Sequence, residues 1–325
     1  MIISRPESWG CITYDTNNHF FDYEHDNGAD KQPYVSRPLV LNVDLTLNCN
    51  MQCHHCVAKD MRKYLNQDLV VSRKLIKEIN RSPFMVIVIT GGEPFLREYE
   101  TPLLDLVSGL KGKGIVVDTN GTILPSKEVL NILRSRKAMV RISLDSIRCE
   151  DELHLRYYPG SRSYNEDVFD KKLKLVPSLR KAGIKVAIQS VLHKMNQVSI
   201  EKIPDKLIQW GVGHWFIQRL IPNNEFASRK MFQLKTDKYE LMLDKFKETS
   251  GRLGIRCVAK KDRRHNCVFL LVGDGEIYTQ GEKEGVKLRL GRIGKIPEYD
   301  YFQYVSASEH SARYYEIIRH CKNRR

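Results

Sequence analysis

Three cysteines lie close together in the stretch CNMQCHHC, which begins at Cys49. Cys49, Cys53 and Cys56 have the spacing C-x3-C-x2-C. Three thiols cannot all pair as disulfides, and a structural zinc site usually has four ligands, which here would require His54 or His55 as well. Three thiolates can instead ligate three irons of a 4Fe–4S cluster and leave the fourth iron open to another ligand. The spacing therefore predicts a metal centre, either an open cluster or a zinc site.

Apolar runs of strand length alternate with helical patterns along the chain. This alternation is typical of βαβ units, which form a parallel sheet with right-handed crossovers. Six such strands are too few for an eight-stranded barrel. The sequence therefore predicts an α/β fold with a partial barrel or an open sheet. The predicted strands cover residues 39–45, 84–90, 114–119, 139–145, 185–191 and 214–220, and the predicted helices cover 72–80, 99–112, 126–136, 167–182 and 198–210.

The pattern divides the chain into three parts. Residues 1–37 are polar with scattered aromatic residues and predict a short strand pair or an irregular arm. Residues 38–222 form the α/β core, and residues 223–325 form a small α+β extension. The sequence Gly-Asp-Gly at 273–275 predicts a hairpin turn in that extension. The extension is predicted to contain helices at 235–253 and 307–320 and strands at 254–258, 267–272, 276–280 and 287–291.

A second motif lies directly after the second predicted strand. Gly91-Gly92-Glu93-Pro94 follows the run FMVIVIT, as the cysteines follow the first strand. In parallel α/β folds the functional groups collect at the carboxyl ends of the strands. The C-x3-C-x2-C spacing after a first strand, followed by GGEP after a second, resembles the radical S-adenosylmethionine (radical SAM) enzymes.

The resemblance implies a fold, two cofactors and a type of reaction. The fold would be a partial (β/α)6 barrel, and the cofactors would be a 4Fe–4S cluster, held by the three cysteines, and S-adenosylmethionine. The open iron would bind the methionine moiety, and an electron from the cluster would split the sulfonium. The resulting 5′-deoxyadenosyl radical would abstract a hydrogen atom from a substrate, while the protein positions the cofactor. The reaction subclass stays open.

The resemblance covers residues 38 to 220 and also implies residues that bind S-adenosylmethionine. Glu93 and the glycine backbone would receive the methionine amino group, and Arg156 would pair with its carboxylate. His55 takes the place of an aromatic residue that packs against adenine. The expected binding residues are His55, Gly91, Gly92, Glu93, Pro94, Asn120, Ser143, Asp145, Arg156 and Gln189, with His154 and Asn196 as polar neighbours.

The C-terminal part resembles a degenerate form of the SPASM or twitch extension of many radical SAM enzymes. Cys267 and Gly275 stand where that extension begins, but Gln280 occupies the position of the next cysteine. We therefore expect no auxiliary cluster. Some radical epimerases use a cysteine as hydrogen-atom donor. By elimination, Cys267 and Cys149 are the catalytic candidates here, with Cys257 as a third, although a free cysteine is more often a small buried hydrophobic residue.

The charge balance favours an anionic partner. The chain has 53 basic and 39 acidic residues, a net charge of +14, which attracts phosphorylated molecules, nucleotides, RNA or acidic peptides. It shows neither a membrane-spanning apolar run nor a signal peptide pattern. We therefore expect a cytoplasmic protein with no membrane partner and with its eight cysteines reduced or metal-bound. The family resemblance adds a flavodoxin- or ferredoxin-like electron donor.

Three functions remain open from the sequence. The first is a radical SAM enzyme that acts on a peptide or small molecule. The second resembles the viperin branch, which acts on nucleotides, because residues 213–225 are distantly similar to a segment there. The third is a non-catalytic zinc or cluster protein that binds nucleic acid, although no groove-reading or base-stacking module is recognisable.

Overall fold

The strands of the protein form two sheets. The computed structural model describes residues 1–7, 9–25, 37–56, 58, 67–222, 225–259, 269–280 and 287–296. One sheet has three antiparallel strands in the order β1-β2-β3, and the other has ten strands in the order β10-β9-β8-β7-β6-β5-β4-β11-β12-β13. The strands are β1 (Ile2–Glu7), β2 (Gly10–Asp15), β3 (Phe20–His25), β4 (Val40–Thr46), β5 (Val86–Gly91), β6 (Gly114–Thr119), β7 (Met139–Ser143), β8 (Lys185–Leu192), β9 (His214–Arg219), β10 (Arg256–Ala259), β11 (Phe269–Val272), β12 (Glu276–Gln280) and β13 (Lys287–Arg292).

Helices connect the strands of the large sheet. Four of the six predicted helices that fall on described residues begin within one residue of the prediction. The helix Arg162–Lys181 (α5) begins five residues before the predicted start at 167, and the helix Ile203–Trp210 (α6) begins five residues after the predicted start at 198, behind a 3-10 turn. Residues 162–166 are polar and carry no apolar period, whereas Ser161 caps the helix by accepting a hydrogen bond from the Tyr164 N–H at 3.2 Å. The described helices are α1 (Arg73–Arg81), α2 (Glu100–Gly109), α3 (Lys127–Ser135), α4 (Cys149–Glu152), α5 (Arg162–Lys181), α6 (Ile203–Trp210), α7 (Glu225–Ser228) and α8 (Thr236–Arg252), with 3-10 turns at Arg97–Tyr99 and Ser199–Lys202.

The six strands predicted for the core, β4 to β9, are all present and pair in parallel in chain order. The α/β prediction is confirmed, and the described strands form an open series with β10 and β13 at its edges. Two later strands extend the parallel part, because β10 pairs with β9 and β11 pairs with β4. The predicted hairpin is also confirmed, since β11 and β12 pair antiparallel around the turn at 273–275. The helix predicted at 307–320 lies outside the described residues.

Alternate strand residues face two different cores. Leu41, Val43 and Leu45 of β4 are fully buried in the larger core, between the sheet and the helices. Residues of the opposite register, such as Val86 and Val88, face the three-stranded sheet. We call this second face the inner face; its apolar part consists of Val86, Val88, Val116, Met139 and Ala187. The inner face of this partial barrel is therefore separate from the helix-side core.

The N-terminal segment is a three-stranded sheet, rather than the predicted strand pair or irregular arm. Its buried residues Trp9, Ile12 and Tyr14 pack against the inner face. A Cβ atom on Gly114 of β6 would lie only 2.2 Å from the Tyr14 ring, so this contact requires glycine. The N-terminal sheet thus closes the inner face near the start of the strands. Among the described helices, none has the length and apolar composition that a membrane span requires.

Candidate active site

The three cysteines lie in the loop that leaves β4 at the carboxyl edge of the sheet. This loop is fastened by its backbone to the segment that follows α4. The Gln52 N–H donates to the Tyr157 carbonyl at 3.0 Å, and the His54 N–H donates to the Leu155 carbonyl at 2.8 Å. These two bonds bracket Cys53, so its position depends on a segment about a hundred residues further along the chain.

Burial weakens the acidity of two of these thiols. It raises the pKa of Cys49, and it raises the pKa of Cys53 to about 11. The other thiolates of the loop raise both values further, while the Arg156 guanidinium lowers the pKa of Cys53. In the part of the chain that the structure describes, no three histidine, cysteine or acidic side chains are close enough to hold one metal ion. A 4Fe–4S cluster requires no such convergence, because each thiolate binds a different iron.

The glycine pair packs directly against the cysteine loop. The Gly92 N–H donates to the Thr46 carbonyl at 2.6 Å, and the Glu93 N–H donates to the Asn48 carbonyl at 2.8 Å. A Cβ atom on Gly92 would lie 1.8 Å from the Asn48 carbonyl oxygen. The pair is therefore required for contact between two protein segments, and this contact fixes the residue before Cys49.

The Glu93 carboxylate is fully buried and accepts three hydrogen bonds from the protein. The donors are the Phe95 N–H at 3.0 Å, the Thr119 hydroxyl at 2.8 Å and the Asn120 N–H at 2.8 Å. Burial raises the pKa of Glu93 to about 7, and these donors oppose the rise. Glu93 thus ties the turn after β5 to the loop after β6, and Pro94 lies inside that turn.

Asn120 connects the loop after β6 to the cysteine loop. Its side-chain N–H group donates to the side-chain oxygen (Oδ1) of Asn50 at 2.8 Å and lies 3.7 Å from the Cys49 sulfur. The Asn120 side-chain oxygen (Oδ1) accepts from the Thr122 hydroxyl at 2.6 Å. The predicted site residue Asn120 therefore contacts a predicted metal ligand directly.

Asp145 and Arg156 form a buried ion pair. The Arg156 Nε and Nη2 atoms lie 2.8 and 3.2 Å from the two Asp145 oxygens, and the Val191 N–H donates to the same carboxylate at 2.7 Å. Burial alone would raise the pKa of Asp145, but the Arg156 charge holds it below its usual value. The guanidinium that was expected to receive a methionine carboxylate is thus partly occupied by Asp145.

A second buried ion pair, which the sequence did not reveal, supports the first. Glu152 of α4 accepts from the Asp145 and Ser146 N–H groups at 2.7 and 3.0 Å. Its other oxygen pairs with Lys172 of α5, and each of the two side chains is 2% exposed. Nothing in the run FDKKLKLV distinguishes Lys172 from its neighbouring lysines, although Glu152 lies one helical turn before Arg156 and could have been suspected.

Ser143 and Gln189 stand opposite each other on β7 and β8. Both are half-buried, and the Gln189 side-chain oxygen is buried with no hydrogen-bond partner among the described residues. The Asn196 side-chain amide nitrogen instead donates to the Asp145 and Val191 backbone carbonyls, each at 2.9 Å. Gln189 therefore offers an acceptor to a bound ligand, whereas Asn196 holds the protein together.

Two adjacent histidines of the cysteine loop have different surroundings. The His54 ring stacks on Phe226 of α7 with centroids 3.8 Å apart and lies 4.6 Å from the Tyr157 ring. His55 leaves its Nδ1 buried with no partner among the described residues, and burial lowers its pKa to about 3. The Nδ1 atom of His154 is likewise buried and unpaired in the described part of the chain. The adenine-packing role of His55 remains a prediction.

The candidate hydrogen donors are not on the inner face where the structure describes them. Cys149 and Cys257 pack against the helix-side core, and burial raises the pKa of each thiol. Cys267 and Gln280 cannot be compared with them, because Cys267 and the Gln280 side chain lie outside the described residues. The hydrogen-donor role and the expected lack of an auxiliary cluster therefore stay predictions.

Part of this chain is similar in sequence to known proteins. The chain is 24% identical to an AdoMet-dependent heme synthase of Oleidesulfovibrio alaskensis, over 66% of this chain and 55% of that protein. It is 31% identical to an Fe-coproporphyrin III synthase of Methanosarcina barkeri, over 55% of this chain and 41% of that protein. The chain thus spans about half the length of the curated relatives it matches.

Solved structures with low sequence identity share the fold. Native anSMEcpe with bound AdoMet superposes with a TM-score of 0.64 at 18% identity, covering 84% of this chain and 82% of that one. Streptococcus suis SuiB bound to the precursor peptide SuiA superposes with a TM-score of 0.64 at 14% identity, covering 96% of this chain and 89% of that one.

A family model settles the membership. The model described as the radical SAM superfamily matches residues 43–207, which is more than half of the chain. Members of this superfamily are enzymes that use a 4Fe–4S cluster and AdoMet (S-adenosylmethionine), which is at odds with the hypothesis of a non-catalytic nucleic-acid-binding protein. The chain belongs to the radical SAM superfamily.

Proposed function

We propose that Cys49, Cys53 and Cys56 hold the 4Fe–4S cluster and that the enzyme abstracts a hydrogen atom from a peptide or small-molecule substrate. The observation that carries this proposal is the anchoring of the cysteine loop at the carboxyl edge of the sheet, beside Arg156. When bound, the cluster supplies one electron that splits AdoMet into methionine and a 5′-deoxyadenosyl radical.

The residues around the loop have separate tasks in this proposal. Glu93 and Asn120 hold the loops after β5 and β6 against the cysteines, and Asn120 donates towards the Cys49 sulfur. Arg156 places a positive charge beside Cys53, which favours the thiolate form that binds iron. Gln189 would accept a hydrogen bond from bound AdoMet or from substrate.

The residues expected to bind AdoMet lie on or after strands that end at the same edge of the sheet. We propose that they contact AdoMet, with Glu93 near the methionine amino group and His55 near adenine. The support is their placement around one loop, since β4 to β8 all end there in parallel. The set consists of His55, Gly91, Gly92, Glu93, Pro94, Asn120, Ser143, Asp145, Arg156 and Gln189.

The reaction can be tested without knowing the substrate. Anaerobic reconstitution with iron and sulfide should give about four irons per chain, and the reduced protein should convert AdoMet to 5′-deoxyadenosine. Changing Cys53 to alanine should abolish both results. Cys257→Ala is the matched control, because this thiol packs on the helix-side core away from the loop. Full iron content in Cys53→Ala, or zinc in place of iron in the native chain, would refute the proposal.

The wider setting follows from the same proposal. We propose a one-electron donor of the flavodoxin or ferredoxin type, a cytoplasmic location, and a core at 38–222 with an extension at 223–325. The strands after residue 222 pair with both β9 and β4, so we expect the extension to unfold together with the core. Limited proteolysis that released a stable fragment of residues 38–222 would contradict this.

The substrate class has two candidates. Peptides and small molecules are favoured by the similarity to a heme synthase and by the shared fold with SuiB, whose structure holds a precursor peptide. The nucleotide alternative predicts that nucleoside triphosphates raise the thermal midpoint, since a ligand of the folded state adds stability. Heat protection by triphosphates but not by peptides or tetrapyrroles would favour that alternative.

A further inference from the structure

Arg141 and Asp118 form an ion pair on the inner face, nearer to the carboxyl ends of the strands than most of the apolar part of that face. The two residues stand directly opposite each other on β7 and β6. The Arg141 Nε and Nη2 atoms donate to the two Asp118 oxygens, each at 2.7 Å. The side chains are 15% and 18% exposed, so solvent reaches a pair that the sheet otherwise surrounds.

An aromatic ring completes the surroundings of this pair. The Arg141 guanidinium lies 5.0 Å from the centroid of the Phe216 ring on β9. Ala187, the buried neighbour of Arg141 on β8, is small enough to let the two side chains meet across that strand. Tyr14 of the N-terminal sheet lies near the same charge, since Arg141 lowers the pKa of Tyr14 against the rise that burial causes.

The guanidinium keeps one nitrogen unused. Its Nη1 atom makes no hydrogen bond within the described part of the chain, whereas Nε and Nη2 are spent on Asp118. Ser143 lies two residues further along β7, which is about 7 Å nearer to the carboxyl edge. There it faces Gln189, whose side-chain oxygen is buried without a partner among the described residues. A ligand bound between Arg141 and Gln189 would meet the cationic donor of Arg141 on one side and the side-chain oxygen of Gln189 on the other.

We propose that Arg141 binds an oxyanion of the substrate, a carboxylate or a phosphate, with the flat part of the substrate lying against Phe216. This inference rests on the proposed function, because it names the chemical class of the substrate for the same site. Charge-assisted hydrogen bonds from arginine suit both oxyanions. Asp118 balances the charge of Arg141 without using its third nitrogen, so it positions the guanidinium while leaving a donor for the ligand.

The test uses small aromatic probes on the reconstituted holoenzyme, with saturating AdoMet and constant ionic strength. The probes are benzoate, phenyl phosphate and the neutral benzamide, and their dissociation constants are taken from the rise of the thermal midpoint with concentration. Benzoate or phenyl phosphate should bind saturably, and benzamide should not. The stronger of the two anions identifies the oxyanion. Failure of both anions to protect the wild-type enzyme, or equal protection by benzamide, overturns the proposal.

Two substitutions at the pair should act in opposite directions. Arg141→Gln should weaken binding of the anion by about tenfold or more, because it removes a charge-assisted donor. Asp118→Asn keeps an acceptor for Arg141 but gives the pair a net positive charge, so it should tighten binding by about threefold or more. Arg97→Gln, at an exposed pair with Glu100, is the control for net charge and should stay within about twofold.

The opposite signs separate recognition from a structural role. A pair that only stabilises the sheet would weaken binding in both variants, and that result overturns the proposal. If Arg141→Gln does not fold, the tighter binding of Asp118→Asn decides alone. Probes that bind only when AdoMet is left out would assign the oxyanion to the cofactor and also overturn the proposal.

Failure of this inference is distinguishable from failure of the proposed function. A wild-type enzyme that converts AdoMet to 5′-deoxyadenosine but binds no anionic probe overturns only the role of Arg141. An enzyme that binds the probes but never cleaves AdoMet overturns only the proposed reaction.

Discussion

The buried pair of Lys172 and Glu152 allows a quantitative test of how the site is supported. Lys172→Met removes the ammonium group and keeps a long apolar side chain. It leaves the Glu152 carboxylate without its cation at a position where each partner is 2% exposed. Glu152 still accepts the Asp145 and Ser146 N–H groups, so the charge keeps two of its hydrogen-bond donors.

The expected cost follows from this geometry. Removing one partner of a buried ion pair costs about 3–5 kcal/mol, and the two remaining N–H donors place Lys172→Met near the lower value, about 3 kcal/mol. An unfolding entropy of about 2.1 cal/mol/K per residue gives about 0.7 kcal/mol/K for a chain of 325 residues. The thermal midpoint should therefore fall by about 4 °C.

The assay is anaerobic thermal unfolding followed by circular dichroism, at several scan rates. Lys171→Met is the matched control, because it makes the same chemical change at the neighbouring exposed position of α5. The double variant Lys172→Met/Glu152→Gln removes both charges and keeps an oxygen that can accept the two N–H groups. It should recover at least half of the lost midpoint, because the penalty comes from the unpaired charge.

Two results would refute the reasoning. A midpoint of Lys172→Met within about 1 °C of the Lys171→Met midpoint would mean that the pair contributes no stability. A double variant as unstable as the single variant would mean that lost packing, and not the stranded carboxylate, causes the effect.

Three further predictions concern other parts of the protein. Burial lowers the pKa of His19 from 6.5 to about 4. Between these two pH values the unfolded chain binds a proton that the folded chain does not, so the free energy of unfolding falls as the pH drops, by at most about 3 kcal/mol. In His19→Asn, whose asparagine tolerates the φ of +49° at this position, the thermal midpoint should fall less steeply at acid pH than in the native protein. An equally steep fall would contradict the lowered pKa of His19. Gly114→Ala should lower the midpoint by several degrees through its clash with the Tyr14 ring, and Gly213→Ala, where a Cβ meets nothing within 4 Å and φ is not positive, is the control. Asn120→Ala should make the reduction potential of the cluster more negative, because it removes a donor near the Cys49 sulfur; a redox titration followed by electron paramagnetic resonance that shows no shift would rule this out.

Local patterns in the sequence predicted the parallel sheet and the location of the cysteine loop. Buried strands are continuous apolar runs, and the three cysteines lie within eight residues. Such features depend on neighbouring residues and can be read without tertiary contacts. The N-terminal sheet was harder to predict, because its apolar residues, such as Trp9 and Tyr14, bury against strands far along the chain.

Other parts of the site depend on contacts that no local pattern encodes. His54 and His55 are adjacent, and only the position of Phe226 decides that His54 is the stacked ring. Lys172 is buried because Glu152 lies opposite it, while the neighbouring Lys171 has the same chemistry and is exposed. A charged residue on a helix is by default predicted to be exposed to solvent. A buried ion pair departs from this expectation at both of its residues.

The inner face could have been recognised in the sequence from polar residues at alternate positions of otherwise apolar strands. Strands buried on both faces should be apolar throughout, yet the run MVRIS carries Arg141 and Ser143 at alternate positions, and Asp118 and Gln189 interrupt the neighbouring runs. Alternate residues of a strand share a face, and here that face is the one turned away from the helix-side core. Polar interruptions with this period, in strands whose other residues are fully buried, therefore indicate a solvent-accessible interior. In this protein they include Arg141, which we propose binds the substrate and which a motif search along the loops does not detect.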